Sequence, residues 1–198
     1  MNNERLHQSL KEITKELHND VEELSLPKKL FFEKITKSEY LDYLQRLYKL
    51  HCMIEKELEK FSNWESYNLE IKEYFRKDLL IKDIVIMSDN TLFMDEIESG
   101  KETLTIETFS EAVGYLYVLT GSTMGGQILT KKVAGTFPNS PYQNANNYFA
   151  AFKERTVPKW INFLSFLNNY ALAINSEEEE SKILQGAQKC FELFKENL

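Results

Sequence analysis

The chain has 198 residues, 42% of them hydrophobic, enough to bury one sizeable core, and we expect a single domain over residues 1–198. Its formal net charge of -7, with lysines scattered among glutamates, argues against a nucleic-acid surface. Two cysteines outside any metal-binding spacing, and an N-terminus without the apolar stretch of a signal peptide, favour a reduced, cytoplasmic protein.

Four prolines and seven glycines leave long segments in which apolar residues recur every three or four positions. This spacing is typical of amphipathic helices, so we predict an all-α, multi-helix bundle. We expect Leu26-Pro27 to stop the first helix, Ser38 to cap the second and Ser176 to cap the last. We predict helices over about residues 3–24, 39–61, 65–87, 107–134 and 143–154, and a last helix from residue 177. Between the last two, Pro158 either opens a new helix or kinks the preceding one. Breaks are expected at 88–90 and 135–141, and a surface connection over 95–107.

One rim of the first helix carries four polar side chains beside its apolar stripe. At 100° per residue, Lys11, Lys15, His18 and Glu22 fall within about 60° of one another. Such a set often consists of ordinary solvent-facing pairs. It is also the arrangement that a metal-ligating imidazole needs, because Glu22 can accept a hydrogen bond from the His18 ring. His51, by contrast, lies among apolar neighbours and is predicted to be a satisfied core histidine.

An uncharged run over residues 112–130 predicts a buried helix, although it holds Gly121, Gly125 and Gly126. Relative to alanine, these glycines together cost a helix roughly 3 kcal/mol. A kink, close packing of another backbone or close approach of a flat ligand would each offset this cost, and the sequence leaves all three open. The run is about long enough to span a bilayer, but its glycine, serine, threonine and glutamine content favours a soluble core helix, so we expect no membrane insertion.

Several kinds of catalytic site have no counterpart in the sequence. The chain has no HExxH motif, Walker loop or GxSxG motif, and no paired-carboxylate helices for a di-iron site. What remains is one histidine, a glycine-rich helix that a flat object can approach, and cations suited to carboxylates at the edge of that object. Haem has this shape and these needs, namely one axial protein ligand, two apolar faces and two propionates.

Two stretches resemble the haem oxygenase family. The segment LKEITKELHNDVE at residues 10–22 resembles the proximal helix of that family, and LTGSTMGGQ at residues 119–127 resembles its distal helix. Arg155-Thr156 and Trp160 are similar to bacterial members. Since the two motifs occur in the family's order, about a hundred residues apart, the resemblance covers the whole chain. It implies a haem-oxygenase-like bundle with a glycine-kinked distal helix.

The resemblance also implies roles for individual residues. His18 is expected to be the proximal iron ligand, with Glu22 as its hydrogen-bonding partner. Gly121, Gly125 and Gly126 are expected to form the distal kink, which lets the backbone lie against the porphyrin and leaves room for dioxygen.

Five further residues are implied at the edge of the haem. Lys11 and Lys15 match cations that face the haem propionates in the family. Tyr117, Lys153 and Arg155 are looser candidates for the same edge, because the correspondence there is ambiguous by a residue or more. All five are therefore expected to contribute to haem binding.

The residue after the first distal glycine departs from the mammalian-type pattern. That pattern has an aspartate there, which organises waters that deliver protons for the reaction, whereas this chain has Ser122. Serine at this place resembles a bacterial branch of the family. Ser122 is thus expected to take part in catalysis beside the three glycines, although a hydroxyl is a poorer proton anchor than a carboxylate.

The implied activity is that of a haem oxygenase. Haem b is both substrate and cofactor, and dioxygen with electrons from an external ferredoxin or flavoprotein reductase opens its ring to biliverdin, Fe²⁺ and carbon monoxide. One alternative is a storage or sensor protein that binds haem without degrading it. The presence of Ser122 in place of the aspartate motivates this alternative. Another is the same fold without haem, as in thiamine-processing relatives that lack the His18 motif. The biliverdin isomer, the electron donor and the oligomeric state stay open.

Overall fold

A computed structural model of the protein describes residues 5–89 and 103–198. Within these ranges the chain forms α-helices and short 3₁₀ segments without any β-strand, so the all-α prediction is confirmed. The α-helices are α1 (Arg5–Glu22), α2 (Ser25–Phe32), α3 (Lys37–Leu58), α4 (Asn63–Ser66), α5 (Lys77–Met87), α6 (Phe109–Gly121), α7 (Gly126–Thr136), α8 (Asn147–Ala150), α9 (Thr156–Ile174) and α10 (Glu177–Asn197). The 3₁₀ segments are Ile71–Tyr74, Ser122–Gly125, Pro141–Asn144 and Lys153–Arg155.

Two predicted boundaries near the start of the chain are wrong. α1 ends at Glu22, and Pro27 lies in the first turn of α2, where a missing N–H costs little because the first N–H groups of a helix have no intrahelical acceptor. Ser38 does not cap α3. Instead, the Thr36 hydroxyl accepts a hydrogen bond from Glu39 N, and the Glu39 carboxylate accepts one from Thr36 N. This reciprocal pair fixes where α3 begins.

Two predicted long helices are interrupted. The region 65–87 divides into α4, a 3₁₀ segment and α5, because Asn68 is left-handed (φ 56°) and Glu55 Oε1 accepts N–H groups at the start of α5. The region 143–154 divides as well, and its chain is left-handed at Ala151 (φ 31°), directly after α8. The spacing of hydrophobic residues did not reveal these breaks, because they depend on contacts with distant side chains and on local backbone geometry.

The later boundaries agree better with the sequence. The glycine-containing helix is divided into α6 and α7 by a 3₁₀ segment. Pro158 lies in the first turn of α9, so it opens a new helix. Ser176 caps α10 as predicted, with its hydroxyl accepting a hydrogen bond from Glu179 N at 3.4 Å. α5 ends at Met87, whereas residue 90 and most of the connection predicted over 95–107 lie outside the described residues.

The core is built on α6, whose residues 110–120 are all buried. α6 packs along α10, and α10 also supports α1. The backbones of α6 and α10 touch where they cross, since a Cβ added to Gly114 would collide with Ile183 O and one added to Gly186 would collide with Glu111 O. Glycine at both positions therefore sets how closely these helices approach.

The remaining elements complete this core. The buried hydrophobic side chains of the described ranges form one continuous cluster. α3 packs on α5, while α7 packs on α8 and α2. Over residues 5–89 and 103–198, no helix combines the length and the apolar character needed to cross a membrane.

We expect Gly186→Ala to lower the free energy of unfolding by about 1–3 kcal/mol, because a methyl group fits there only if α10 moves away from α6. Gly135→Ala in α7 is the matched control. A Cβ at Gly135 meets nothing within 4 Å, so this change should raise the stability by about 0.5–1 kcal/mol through helix propensity. Chemical denaturation compares the two variants, and equal effects would contradict the packing role of Gly186.

Candidate functional site

A cleft is enclosed by α1, α2, α3, α8, α10 and the junction of α6 with α7. Its cavity volume is about 210 Å³, and its lining is mainly apolar and aromatic. Residues 121–126, where α6 gives way to the 3₁₀ segment and α7 begins, are termed the glycine segment. The polar side chains in the lining are His18, Glu22, Tyr43, Arg76, Ser122, Thr123 and Tyr148.

α1 places His18 in the wall of the cleft. Its side chain is 55% exposed, and its ring packs edge-on against Phe191 of α10 with the centroids 5.9 Å apart. Nδ1 of His18 lies 3.7 Å from Glu22 Oε1, which is an ion-pair distance and too long for a hydrogen bond. In the described part of the chain, no group is hydrogen-bonded to Nε2 of His18, so this nitrogen is available as a ligand.

The packing of α1 explains why His18 stands at the edge of the cleft. Leu6, Leu10 and Thr14 form the buried face of α1, and α1 lies on α10. Residues four positions apart share a helix face, so His18 continues this face one turn beyond Thr14. The imidazole therefore stands where the core gives way to the cleft.

The three glycines of the glycine segment have different surroundings. A Cβ on Gly126 would collide with Phe149 O of α8, so packing requires this glycine. A Cβ on Gly121 would lie 3.8 Å from the Trp160 ring, an ordinary contact, and one on Gly125 would meet nothing within 4 Å. Close packing therefore accounts for Gly126 alone, a methyl group on Gly121 would only touch Trp160, and Gly125 leaves open space in the lining of the cleft.

Arg76 is a buried cation of the cleft that the sequence analysis missed. Its side chain is 2% exposed, and Nη2 donates to Leu119 O at 2.7 Å and to Ser122 Oγ at 2.8 Å. Ser122 Oγ itself donates to Leu119 O at 2.8 Å. The guanidinium carbon lies 4.5 Å from the centre of the Tyr148 ring. A lone arginine belongs to no motif, so no pattern in the sequence distinguished it from a surface cation.

His51 and Tyr148 extend this polar network into the core. Nδ1 of His51 lies 2.8 Å from Glu55 Oε1, and Nε2 lies 2.9 Å from the Tyr148 hydroxyl. Because Glu55 Oε1 also accepts the N–H groups of Arg76 and Lys77, Nδ1 is the donor and Nε2 accepts from Tyr148. Burial lowers the pKa of His51 and keeps the ring neutral. The prediction of a satisfied core histidine is confirmed.

The residues implied at the haem edge do not line the cleft. Lys11 and Lys15 are exposed on α1, and Lys153 and Arg155 are exposed in the 3₁₀ segment before α9. Tyr117 is buried in α6, and burial raises its pKa to about 12. The roles of these residues, like those of the residues in the cleft, stay predictions. The cleft brings together His18, Glu22, Gly121, Ser122, Gly125 and Gly126.

The fold is that of bacterial haem oxygenases. The structure of the enzyme from Leptospira interrogans matches with a TM-score of 0.71 and 22% identity, covering 96% of this chain and 97% of that one. The NO- and CO-bound enzyme from Neisseria meningitidis matches with a TM-score of 0.75 and 22% identity over 96% and 88% of the two chains. Haem oxygenase-1 from the cyanobacterium Synechocystis, in complex with haem, matches with a TM-score of 0.75 and 18% identity, covering 96% of this chain and 89% of that one.

The sequence establishes the family as well. The family model described as Heme oxygenase matches residues 4–198, and the chain therefore belongs to the haem oxygenase family of haem-degrading enzymes. The resemblance seen at residues 10–22 and 119–127 is confirmed by this match. Compared with curated proteins by sequence, the chain matches none.

The cleft suits haem chemically. Apolar and aromatic side chains match the faces of a porphyrin, and one imidazole suffices as the protein's ligand because the porphyrin supplies four nitrogens to the iron. The cavity of about 210 Å³ is smaller than the roughly 300–1,000 Å³ of sites that bury drug-sized ligands. Haem binding therefore requires the walls to move apart or leaves an edge of the haem in solvent.

We expect Gly126→Ala to lower the free energy of unfolding by about 1–3 kcal/mol, because its methyl group would press on α8. Gly125→Ala should leave the stability of the haem-free protein unchanged or higher but weaken hemin binding. Denaturation and absorbance titration with hemin measure both effects. A Gly125→Ala variant that binds hemin as tightly as the wild type would contradict the idea that this glycine leaves space for a ligand.

Proposed function

We propose that haem binds in this cleft with His18 as its protein ligand, and that the chain degrades it there. One observation carries the proposal, since His18 and the glycine segment lie about a hundred residues apart in the sequence yet line the same cavity. Glu22 is one turn beyond His18 and 3.7 Å from its Nδ1, close enough to orient the ring through a water molecule or a small rotation. Nε2 would then be the ring nitrogen that holds the iron.

When bound, haem supplies the redox chemistry, in which dioxygen and electrons open its ring to biliverdin, Fe²⁺ and carbon monoxide. The chain's share is to hold the haem and to control polarity around it. Phe31, Phe149 and Phe191 line the cleft and exclude water. Gly125 leaves space in which a small ligand fits beside the backbone.

Ser122 and Arg76 are proposed to organise the protons of the reaction. The Ser122 hydroxyl donates to Leu119 O and accepts from Arg76, so a lone pair of Oγ remains to accept from a water molecule in the cleft. Arg76 is not proposed to relay a proton itself, but its fixed position orients the hydroxyl. Protons would thus reach the cleft through water that Ser122 holds in place.

The haem propionates are proposed to meet cations outside the cavity. Lys15 precedes His18 by one helical turn and Lys11 precedes it by two, both on the exposed surface of α1. Lys153 and Arg155 are further candidates from the segment before α9. Tyr117 is the weakest of the set, because it is buried in α6. A haem edge left in solvent, one of the two arrangements that the small cavity allows, would place the propionates within reach of surface lysines.

Electrons are proposed to come from a ferredoxin or a flavoprotein reductase, with the reaction taking place in the cytoplasm. No disulfide links Cys52 and Cys190, which fits a reducing compartment.

A second candidate function is haem storage or sensing without degradation. The hydrogen bond from Ser122 Oγ to Leu119 O favours it, because a hydroxyl engaged with the backbone offers its proton to the cleft less readily. An absorption spectrum of the purified protein titrated with hemin, followed by ascorbate or a ferredoxin reductase system in air, separates the two functions. Degradation turns a one-to-one Soret complex into a broad red biliverdin band, storage leaves the Soret complex unchanged, and absence of a complex contradicts both.

We expect His18→Ala to abolish normal turnover and to change the spectrum of the hemin complex, because the iron loses its protein ligand. His7→Ala, on the same helix three turns earlier, is the matched control and should retain the wild-type spectrum. Absorbance titration and ascorbate-driven turnover measure both variants. If His18→Ala keeps the wild-type spectrum and rate, the ligand assignment is wrong.

We expect Ser122→Ala to bind hemin normally but to degrade it about tenfold more slowly, because the water that supplies protons loses its anchor. Hemin affinity and the rate of biliverdin formation should therefore respond separately. Thr123→Ser is the control, because its hydroxyl donates to Thr120 O and the shorter side chain keeps that bond. An unchanged rate in Ser122→Ala would show that the hydroxyl serves only the local backbone.

A further inference from the structure

The short helix α8 carries two residues of the cleft, Tyr148 and Phe149. Four residues make too short a helix to be stable by themselves, because helix nucleation is unfavourable. The chain directly after α8 is left-handed at Ala151 (φ 31°) and, two residues later, at Lys153 (φ 52°), so no helical continuation supports it. The position of α8 must therefore come from contacts with other elements.

Asp83 of α5 provides the contact at the start of α8. Its side chain is fully buried, and Oδ1 accepts from Asn147 N at 2.8 Å and from Asn147 Nδ2 at 2.7 Å. Oδ2 accepts from Tyr148 N at 2.8 Å. Burial raises the pKa of Asp83, and the hydrogen bonds from Tyr148 and Asn147 oppose this rise. One carboxylate thus binds the first two N–H groups of α8, which the helix itself leaves without acceptors.

Further contacts of α8 lead to the cleft. Phe149 O presses on Gly126 of the glycine segment. The Tyr148 hydroxyl donates to His51 Nε2 at 2.9 Å, and its ring lies against the guanidinium of Arg76. A shift of α8 relative to α5 would therefore move the support of the glycine segment and the ring beneath Arg76 together.

We propose that Asp83 is a positioning residue of the cleft, whose carboxylate sets where Tyr148 and Phe149 stand against the glycine segment. Asp83 acts through α8 and does not line the cavity itself. Its effect on haem rests on the proposed function, whereas its effect on Tyr148 and His51 belongs to the haem-free protein and is measured there.

Asp83→Asn tests this role in the full-length protein. An amide keeps one oxygen acceptor but turns an NH₂ group toward the N–H donors of α8, so α8 should move away from α5. Asp89→Asn is the matched control. Asp89 also accepts two side-chain hydrogen bonds, from Lys37 Nζ at 2.6 Å and from the Tyr142 hydroxyl at 2.8 Å, but it holds the 3₁₀ segment before α8.

The first measurement is the ¹⁵N chemical shifts of the His51 ring in haem-free protein. We expect Asp83→Asn to shift them, because the hydrogen bond from Tyr148 lengthens, and Asp89→Asn to leave them unchanged. In a Tyr148→Phe background, Asp83→Asn should cause no further shift. A general loss of stability would not produce this pattern. A folded Asp83→Asn variant with wild-type His51 signals, or shifts that persist without the Tyr148 hydroxyl, would overturn the proposal.

Asn147→Ala covers the case in which Asp83→Asn does not fold. It removes the Asn147 Nδ2 donor, which also bonds Asn144 O at 3.3 Å, and leaves the carboxylate with both backbone N–H groups. We expect a smaller shift of the His51 signals in the same direction, and no shift would overturn the proposal.

Hemin titration then links Asp83 to the site. We expect Asp83→Asn to weaken hemin binding about tenfold, as for the loss of one charge-assisted hydrogen bond, and Asp89→Asn to have no effect. If the wild type binds no hemin, the proposed function fails while the His51 signals still decide the role of Asp83. If the wild type binds hemin and Asp83→Asn binds it equally tightly, the positioning of the cleft by Asp83 is refuted.

Discussion

The contact between the backbones of α6 and α10 is the constraint on which the site depends. Gly114 and Gly186 let the two helices touch, and no side chain between them can adjust their spacing. Both helices then lead to the cleft, because α6 continues into the glycine segment and α10 carries Phe191 and Phe194. α1 packs on α10 and adds His18. Three walls of the cleft therefore take their positions from one contact whose own residues do not line it.

A second, polar constraint joins α3, α5 and α8. Glu55 Oε1 of α3 accepts the ring N–H of His51 and the backbone N–H groups of Arg76 and Lys77, which begins α5 and anchors Arg76. Asp83, farther along α5, then fixes the start of α8. Two buried carboxylates thus fix the starts of α5 and α8, which the helix propensity of these short elements would not fix. Buried carboxylates persist in such places only when several donors meet them, and Glu55 Oε1 and both oxygens of Asp83 accept such donors here.

The sequence predicted the parts of the site that depend on local pattern. The rim of α1 with His18 follows from helix periodicity, and the glycine segment stands out because glycines are costly in a buried helix. Arg76 and Asp83 could not be predicted, since each matters through partners 43 to 65 positions away. The break of the helix predicted over 143–154 was missed for the same reason. The family resemblance pointed to the cleft, but the packing of Gly126 against α8 appears only in three dimensions.

The pairing of Ser122 with Arg76 gives the departure from the aspartate pattern a physical meaning. An aspartate at this position would place a carboxylate within reach of the guanidinium that donates to Ser122 Oγ at 2.8 Å, and a buried ion pair would form. Such a pair would neutralise the cation and occupy the carboxylate oxygens. The hydroxyl accepts the same hydrogen bond and leaves the positive charge of Arg76 in place. In the proposed function, a fixed cation beside an apolar cleft would stabilise negative charge that develops there, because its position needs no reorganisation. We therefore propose that Ser122 and Arg76 together provide the polarity that the mammalian-type pattern obtains from one carboxylate and its waters.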